Sequence, residues 1–169
     1  MLKSACVAPI LGRAVMVFLS VVMPVFAAPP SAPATQVAGV PTRDDVVARV
    51  NKAVEFYRQN GREKTIAELN RRDGAFAKGM DYVDLHDLSG VCIAHPRSPE
   101  LVGQNRLDTA DPRGKRFIRE IIDAARTHSE GWVTYLRENP NNGRIEHKIA
   151  YWAVHDGLIF KAGTYDTTG

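Results

Sequence analysis

Residues 81–97 read DYVDLHDLSGVCIAHPR. Tyr82, Asp84 and His86 alternate with Val83 and Leu85, which is the period of two that a strand shows when one face meets a core. Ser89-Gly90 supplies a turn, and Val91 to Arg97 repeats the alternation as a second strand. A two-residue turn pairs Leu88 with Val91 and sets Asp84 opposite His95. Tyr82, Asp84, His86, Ile93, His95 and Arg97 then share one face, and Val83, Leu85, Cys92 and Ala94 share the other. A four-residue turn keeps these faces, whereas a three-residue turn flips one strand. The apolar face is small enough to receive a helix. The other is polar with one aromatic, as a wet or ligand-facing surface would be.

Upstream of this hairpin the period is helical. Thr42 can cap a helix over Thr42–Gln59, with Asp44 and Asp45 at its positive end. Val46, Val50, Val54 and Tyr57 form an apolar stripe, widened by Val47 and Ala53. Asn60-Gly61 suits a left-handed C-cap, and a shorter helix fits Arg62 to Arg71, with Ile66 and Leu69 inward. The charges Arg58, Arg62, Lys64, Arg71 and Arg72 read as a solvated face. Downstream, Ser98 to Pro112 is a Pro-, Gly-, Asn- and Asp-rich loop, and Asp111 can cap a helix over Lys115 to Thr127. Strands follow at Trp132 to Arg137, Ile145 to Val154 and Leu158 to Tyr165, separated by strong turns. Short connections imply an antiparallel sheet with helices packed on it, an α+β fold.

The chain has 169 residues, of which 44% are hydrophobic and 24% charged. That suits one domain with a core, and it excludes a disordered or fibrous chain. The formal charge of +3 is too small to point to nucleic acid. Residues 1–27 have the plan of a cleaved secretory signal: Lys3 and Arg13, an apolar run from Ala14 to Phe26, and small residues at the cut. The run is too short to span a bilayer. Residues 28–41, rich in Pro and Ala, form a linker, and 42–169 form one domain. With the signal removed Cys92 is alone, so no internal disulfide is expected, and it reads as a small buried residue. The expected compartment is the periplasm.

Several strings in order resemble the single Cache domain (type 2), the PAS-like extracellular sensor module of bacterial chemoreceptors and kinases. They are Asp81 to Leu85 leading to Ser89-Gly90-Val91, Ala94-His95-Pro96, Leu101 to Asn105, Asp111 to Lys115, Gly131 to Tyr135, and Lys148 to Tyr151, with Ala162 to Tyr165 as a closing strand. The resemblance implies a long N-terminal helix packed on a five-stranded antiparallel PAS-like sheet. It also implies a pocket on the other side of the sheet for a small organic molecule, often a short carboxylate. Sensor relatives continue into a transmembrane helix and an output segment. Here the sequence stops at Gly169, so a stand-alone exported form acting through a membrane sensor partner is expected.

A carboxylate needs a cation or several N–H or O–H donors in a dry site. Tyr82, His95, Trp132, Tyr135, Lys148 and Tyr151 are the candidate ligand-binding residues. Lys148 stands amid strand residues, and its alternative is a solvated lysine paired with Glu146. Trp132 can wall a ligand or fill a core, and Tyr135 and Tyr151 can equally be packing aromatics. His86, His95, Asp84 and Asp87 invite a metal reading. An Asp84–His95 cross-strand pair with a solvated His86 accounts for them more simply, and no tight ligand spacing occurs. Asn105, Asp108 and Asp111 lack the spacing of a calcium loop. No metal, cofactor or catalytic residue is expected, because neither a nucleophile elbow nor a phosphate-cradling loop is present. His128 and His147 receive no role. The expected function is binding of a short organic acid, without enzymatic activity. The alternative is an interaction module without ligand, forming a homodimer through the stripe on the first helix.

Overall fold

Helix α1 (Arg43–Leu69) starts at Thr42, whose hydroxyl accepts from the Asp45 N–H at 3.2 Å, while the Asp45 carboxylate accepts from the Thr42 N–H at 2.9 Å. This reciprocal box satisfies donors that a helix start leaves open. The computed structural model describes residues 40–78 and 81–166. The signal read at 1–27 and all but the end of the linker read at 28–41 lie outside the described residues. The two helices read from the sequence form one element, kinked at Gly61, where a φ of 79° favours a residue without a side chain.

The strands are β1 (Ala77–Lys78), β2 (Asp81–Asp87), β3 (Cys92–Ala94), β4 (Glu130–Asn139), β5 (Arg144–His155) and β6 (Leu158–Tyr165). They run in the order β1-β2-β6-β5-β4, with β3 also on β2, and all pairings are antiparallel. The five expected strands are all present, and the two-residue β1 adds a sixth. Helix α2 (Phe117–Ala125) follows the long loop after β3.

The first hairpin departs from its expected register. Leu85 pairs with Ala94, as a two-residue turn requires, but His86 then pairs with Cys92. The bulge leaves Ile93 packed against the helix-side core, and Leu88 lies exposed in the turn rather than paired with Val91. Asp111 also differs from its expected role. It does not cap α2, whose N-cap is Arg116. Its carboxylate accepts from the N–H groups of Arg113 and Lys115, and from that of Leu136 on β4, which ties the loop to the sheet edge.

The two sheet faces are covered differently. On one face, Val46, Val50, Val54 and Tyr57 of α1 pack on Val83, Leu85, Tyr151, Leu158 and Phe160. Each such side chain contributes about 1.5–3 kcal/mol when fully buried. This burial uses the stripe that the dimer alternative required to be free. On the other face, Phe117, Ile118, Ile121 and Ile122 of α2 cover Val133, Ala150, Trp152 and Ile159. Beyond α2 the same face carries Tyr82, Lys148, Tyr165 and Arg137, and there the sheet opens into a cleft.

Candidate functional site

Pairing across the sheet fixes the floor of this cleft. Tyr135 lies opposite Lys148, Lys148 opposite Tyr165, and Asp84 opposite Lys161, so these side chains share a face. Two hollows result. The outer cleft, about 760 Å³, is lined by Lys78, Asp81, Tyr82, Arg97, Ser98, Arg137, Glu138, Pro140, Asn141, Lys148 and Tyr165. The inner hollow, about 30 Å³, lies beneath α2 and the long loop and includes Asp84, His86, His95, Tyr135 and Lys161. Tyr82 and Arg137 border both.

Lys148 is 3% exposed. Its ammonium donates to the Tyr82 hydroxyl at 3.3 Å and stands 4.8 Å from the Tyr82 ring centroid and 5.2 Å from that of Tyr165. The rings offer their negative faces to the charge. Tyr165 is held by a hydrogen bond from its hydroxyl to the Glu138 carbonyl at 2.8 Å. Among the described residues no carboxylate forms an ion pair with Lys148. The alternative partner Glu146 instead accepts from Asn139 and Asn142. Burial pushes the Lys148 ammonium below the ordinary lysine range. Tyr82 takes one of the three N–H donors of the ammonium. Arg137, half-buried two residues along β4 from Tyr135, likewise has no ion pair among the described residues.

The inner hollow has its own neutralising charge. Lys161 donates to Asp84 at 2.8 Å, and the two are 6% and 2% exposed. Burial works against the Asp84 charge, but the Lys161 ammonium foremost outweighs it and holds the carboxyl well below the usual range. Burial works against Lys161 too, and Asp84 more than offsets it, so the ammonium stays above the ordinary lysine range. His86 is buried rather than solvated, and its Nδ1 lies 3.3 Å from Asp84 Oδ1 without an aligned hydrogen bond. His95 is not paired with Asp84. Its Nδ1 accepts from the Ser98 backbone N–H at 2.9 Å, and the His95 backbone N–H donates to the Asn70 side-chain oxygen at 3.1 Å. Burial lowers its pKa to about 4, so the ring is neutral. Burial also pushes the Cys92 thiol up to about 11, as suits a packed, unreactive residue.

Of the six residues singled out from the sequence, Tyr82, His95, Tyr135 and Lys148 come to the two adjoining hollows. Tyr135 stacks on Phe117, with ring centroids 3.8 Å apart. Trp132 and Tyr151 do not come there. They pair on the α1 face, where Trp132 is 39% exposed beneath Arg43 and the Tyr151 hydroxyl donates to Glu130 at 2.7 Å. Strand parity explains the displacement, because Trp132 and Tyr135 are an odd number of residues apart, as are Lys148 and Tyr151. The sequence reading passed over Arg137, Tyr165 and Lys161. Lys161 carried the same signal as Lys148, a lysine inside the apolar strand LIFKAG.

Residues 38–157 match the family model described as Single Cache domain 2. Over 83 residues the chain is 32% identical to the sensor histidine kinase MctS of Rhizobium johnstonii, covering 49% of this chain and 18% of the kinase. The chain thus matches less than a fifth of that relative's length. A solved Cache chemosensory domain, described for its carboxylic acid recognition, is 24% identical with a TM-score of 0.61, over 72% of this chain and 91% of its own. A methyl-accepting chemotaxis protein from Vibrio parahaemolyticus is 22% identical with a TM-score of 0.60, over 72% and 86%. The periplasmic sensor domain of a chemotaxis protein is 23% identical with a TM-score of 0.53, over 72% and 88%. At these identities the likeness to the solved structures is one of fold.

Proposed function

The chain belongs to the Single Cache domain 2 family, and from that membership we propose that it is an exported sensor-type domain binding a short organic acid in the outer cleft. Lys148 carries this reading, because a buried ammonium held by two tyrosines and no carboxylate lacks the counter-charge that burial calls for. A ligand carboxylate supplies it. Arg137 presents a guanidinium fork beside it, the geometry that carboxylates accept in two parallel hydrogen bonds. Tyr82 holds the ammonium in place, while His95 and Tyr135 close the inner side. Trp132 and Tyr151 are left out of this site, since they face α1.

The leader at 1–27 delivers the domain to the periplasm, and a separate membrane sensor reads its loaded state. Support for such a partner comes from the kinase relative, and for an acid ligand from the solved domain described for carboxylic acid recognition. No described helix is long and apolar enough to cross a membrane.

Titration calorimetry and thermal melts with two- to four-carbon acids test the reading. A ligand at a hundred times its dissociation constant stabilises by about 2.7 kcal/mol, a shift of several degrees. An unchanged melting curve with every acid at millimolar concentration overturns it.

A further inference from the structure

We propose that the outer cleft selects a small dianion over a monoanion of the same length. The proposal rests on the anion-binding reading above and adds the charge of the ligand.

Among the described residues three buried or half-buried cations stand on this face of the sheet, Lys161, Lys148 and Arg137, with Arg144 exposed at its end. Lys161 is neutralised from within, by Asp84 at 2.8 Å. Lys148 and Arg137 have no such partner among the described residues. The cleft lining otherwise carries Lys78 and Arg97 beside Asp81 and Glu138. Asp81 is moreover engaged by Arg49 at 2.7 Å, which brings a further cation to the rim. A monocarboxylate on Lys148 leaves Arg137 unanswered.

The cleft of about 760 Å³ also has room for a second anionic group beyond the one on the floor. Inside a partly dry cleft each unanswered charge counts for more than in bulk water. Both dicarboxylates and phosphomonoesters offer this chemistry, since Arg137 can receive either group through its fork.

Titration calorimetry on the protein at pH 7.5 and low salt, with succinate, its monomethyl ester, butyrate and glycerol phosphate, decides it. At least one of the two dianions is expected to bind tenfold or more tighter than the monoester and butyrate, and whichever does so identifies the source. Arg137→Gln should bring that ratio close to one while a thermal melt shows the fold intact, and the dianion's affinity should fall more steeply with salt. Equal affinity for succinate and its monoester, with glycerol phosphate no tighter, overturns the dianion proposal and leaves acid binding standing. Absence of binding by all four probes to folded protein overturns both.

Discussion

Two lysines on one sheet face, Lys161 in the inner hollow and Lys148 in the outer cleft, are buried to nearly the same extent and are used differently. Lys161 meets Asp84 inside the fold, at 2.8 Å. Lys148 meets a phenol and two aromatic rings and no carboxylate. The first charge is neutralised during folding and belongs to the scaffold. The second has no carboxylate partner among the described residues, and in the proposed function a ligand supplies one. Two lysines of like burial are thus told apart by the internal counter-charge that one has and the other lacks. The inner hollow is also small, about 30 Å³ against about 760 Å³, so it can hold ordered water but no organic acid.

The largest effect expected from breaking this contrast is at Asp84. Asp84→Asn removes the counter-charge and leaves Lys161 buried and unpaired, which costs roughly 3–5 kcal/mol of stability. Urea unfolding measures it, and a loss below about 1 kcal/mol would show that Lys161 finds water or another partner. Lys148→Met should behave in the opposite way. It removes a buried charge with no internal partner, so stability should hold or rise, while acid affinity falls by about 1.5–3 kcal/mol, roughly tenfold to a hundredfold. Stability lost together with affinity would mean that Lys148 is scaffold after all. Affinity in the unaltered protein should also fall on the alkaline side, because Lys148 must be protonated to bind an anion. With its pKa below that of an ordinary lysine, the fall should begin earlier than that of a solvated lysine.

An effect of similar size, about 3 kcal/mol, is expected from His95. Its folded pKa is about 4 against 6.5 for the free side chain, so between these values the unfolded chain binds the extra proton. The neutral ring thus contributes stability that is full above about pH 6.5 and is lost as pH falls toward 4. Protonation would also break the hydrogen bond that Nδ1 accepts from Ser98. His95→Gln should flatten this part of the stability–pH curve relative to the unaltered protein. An unchanged acid slope would place the proton uptake elsewhere.

The order of elements was legible from periodicity, because alternation in DYVDLHD and the stripe Val46, Val50, Val54, Tyr57 each follow from one face meeting a core. Thr42 and Gly61 were legible as helix punctuation. Two things were not. The bulge at Ile93 depends on how Asp87 organises the turn, accepting from the N–H groups of Ser89 and Val91, and alternation carries no sign of it. The division of the site residues between faces depends on register. Tyr82, Tyr135 and Lys148 share a face because Tyr135 opposes Lys148 across β4 and β5, and the same pairing sends Trp132 and Tyr151 to the α1 side. A residue-type argument placed all of them together, whereas parity on the paired strands separates them.

The smallest effect, and the one that most sharpens the contrast between the two lysines, lies at Gly163. This glycine of β6 pairs with Ala150 of β5, next to the stem of Lys148. A Cβ there would fall 3.0 Å from Lys148 Cε, 3.1 Å from Ala150 Cβ and 2.9 Å from the Ile149 carbonyl oxygen. The absence of a side chain is therefore what lets the long lysine stem lie across β6 and carry its ammonium between Tyr82 and Tyr165. Gly163→Ala must displace either the lysine or the β5 backbone. Overpacking of this kind costs about 1 kcal/mol. Because the flexible stem yields more readily than the strand, the displacement should appear chiefly as a several-fold loss of acid affinity. The Asp84–Lys161 pair has no atom among the three nearest to that Cβ and should keep its contribution to stability. If Gly163→Ala binds acids as well as the unaltered protein, the position of the Lys148 ammonium is not what the ligand depends on, and the outer cleft loses its anchor.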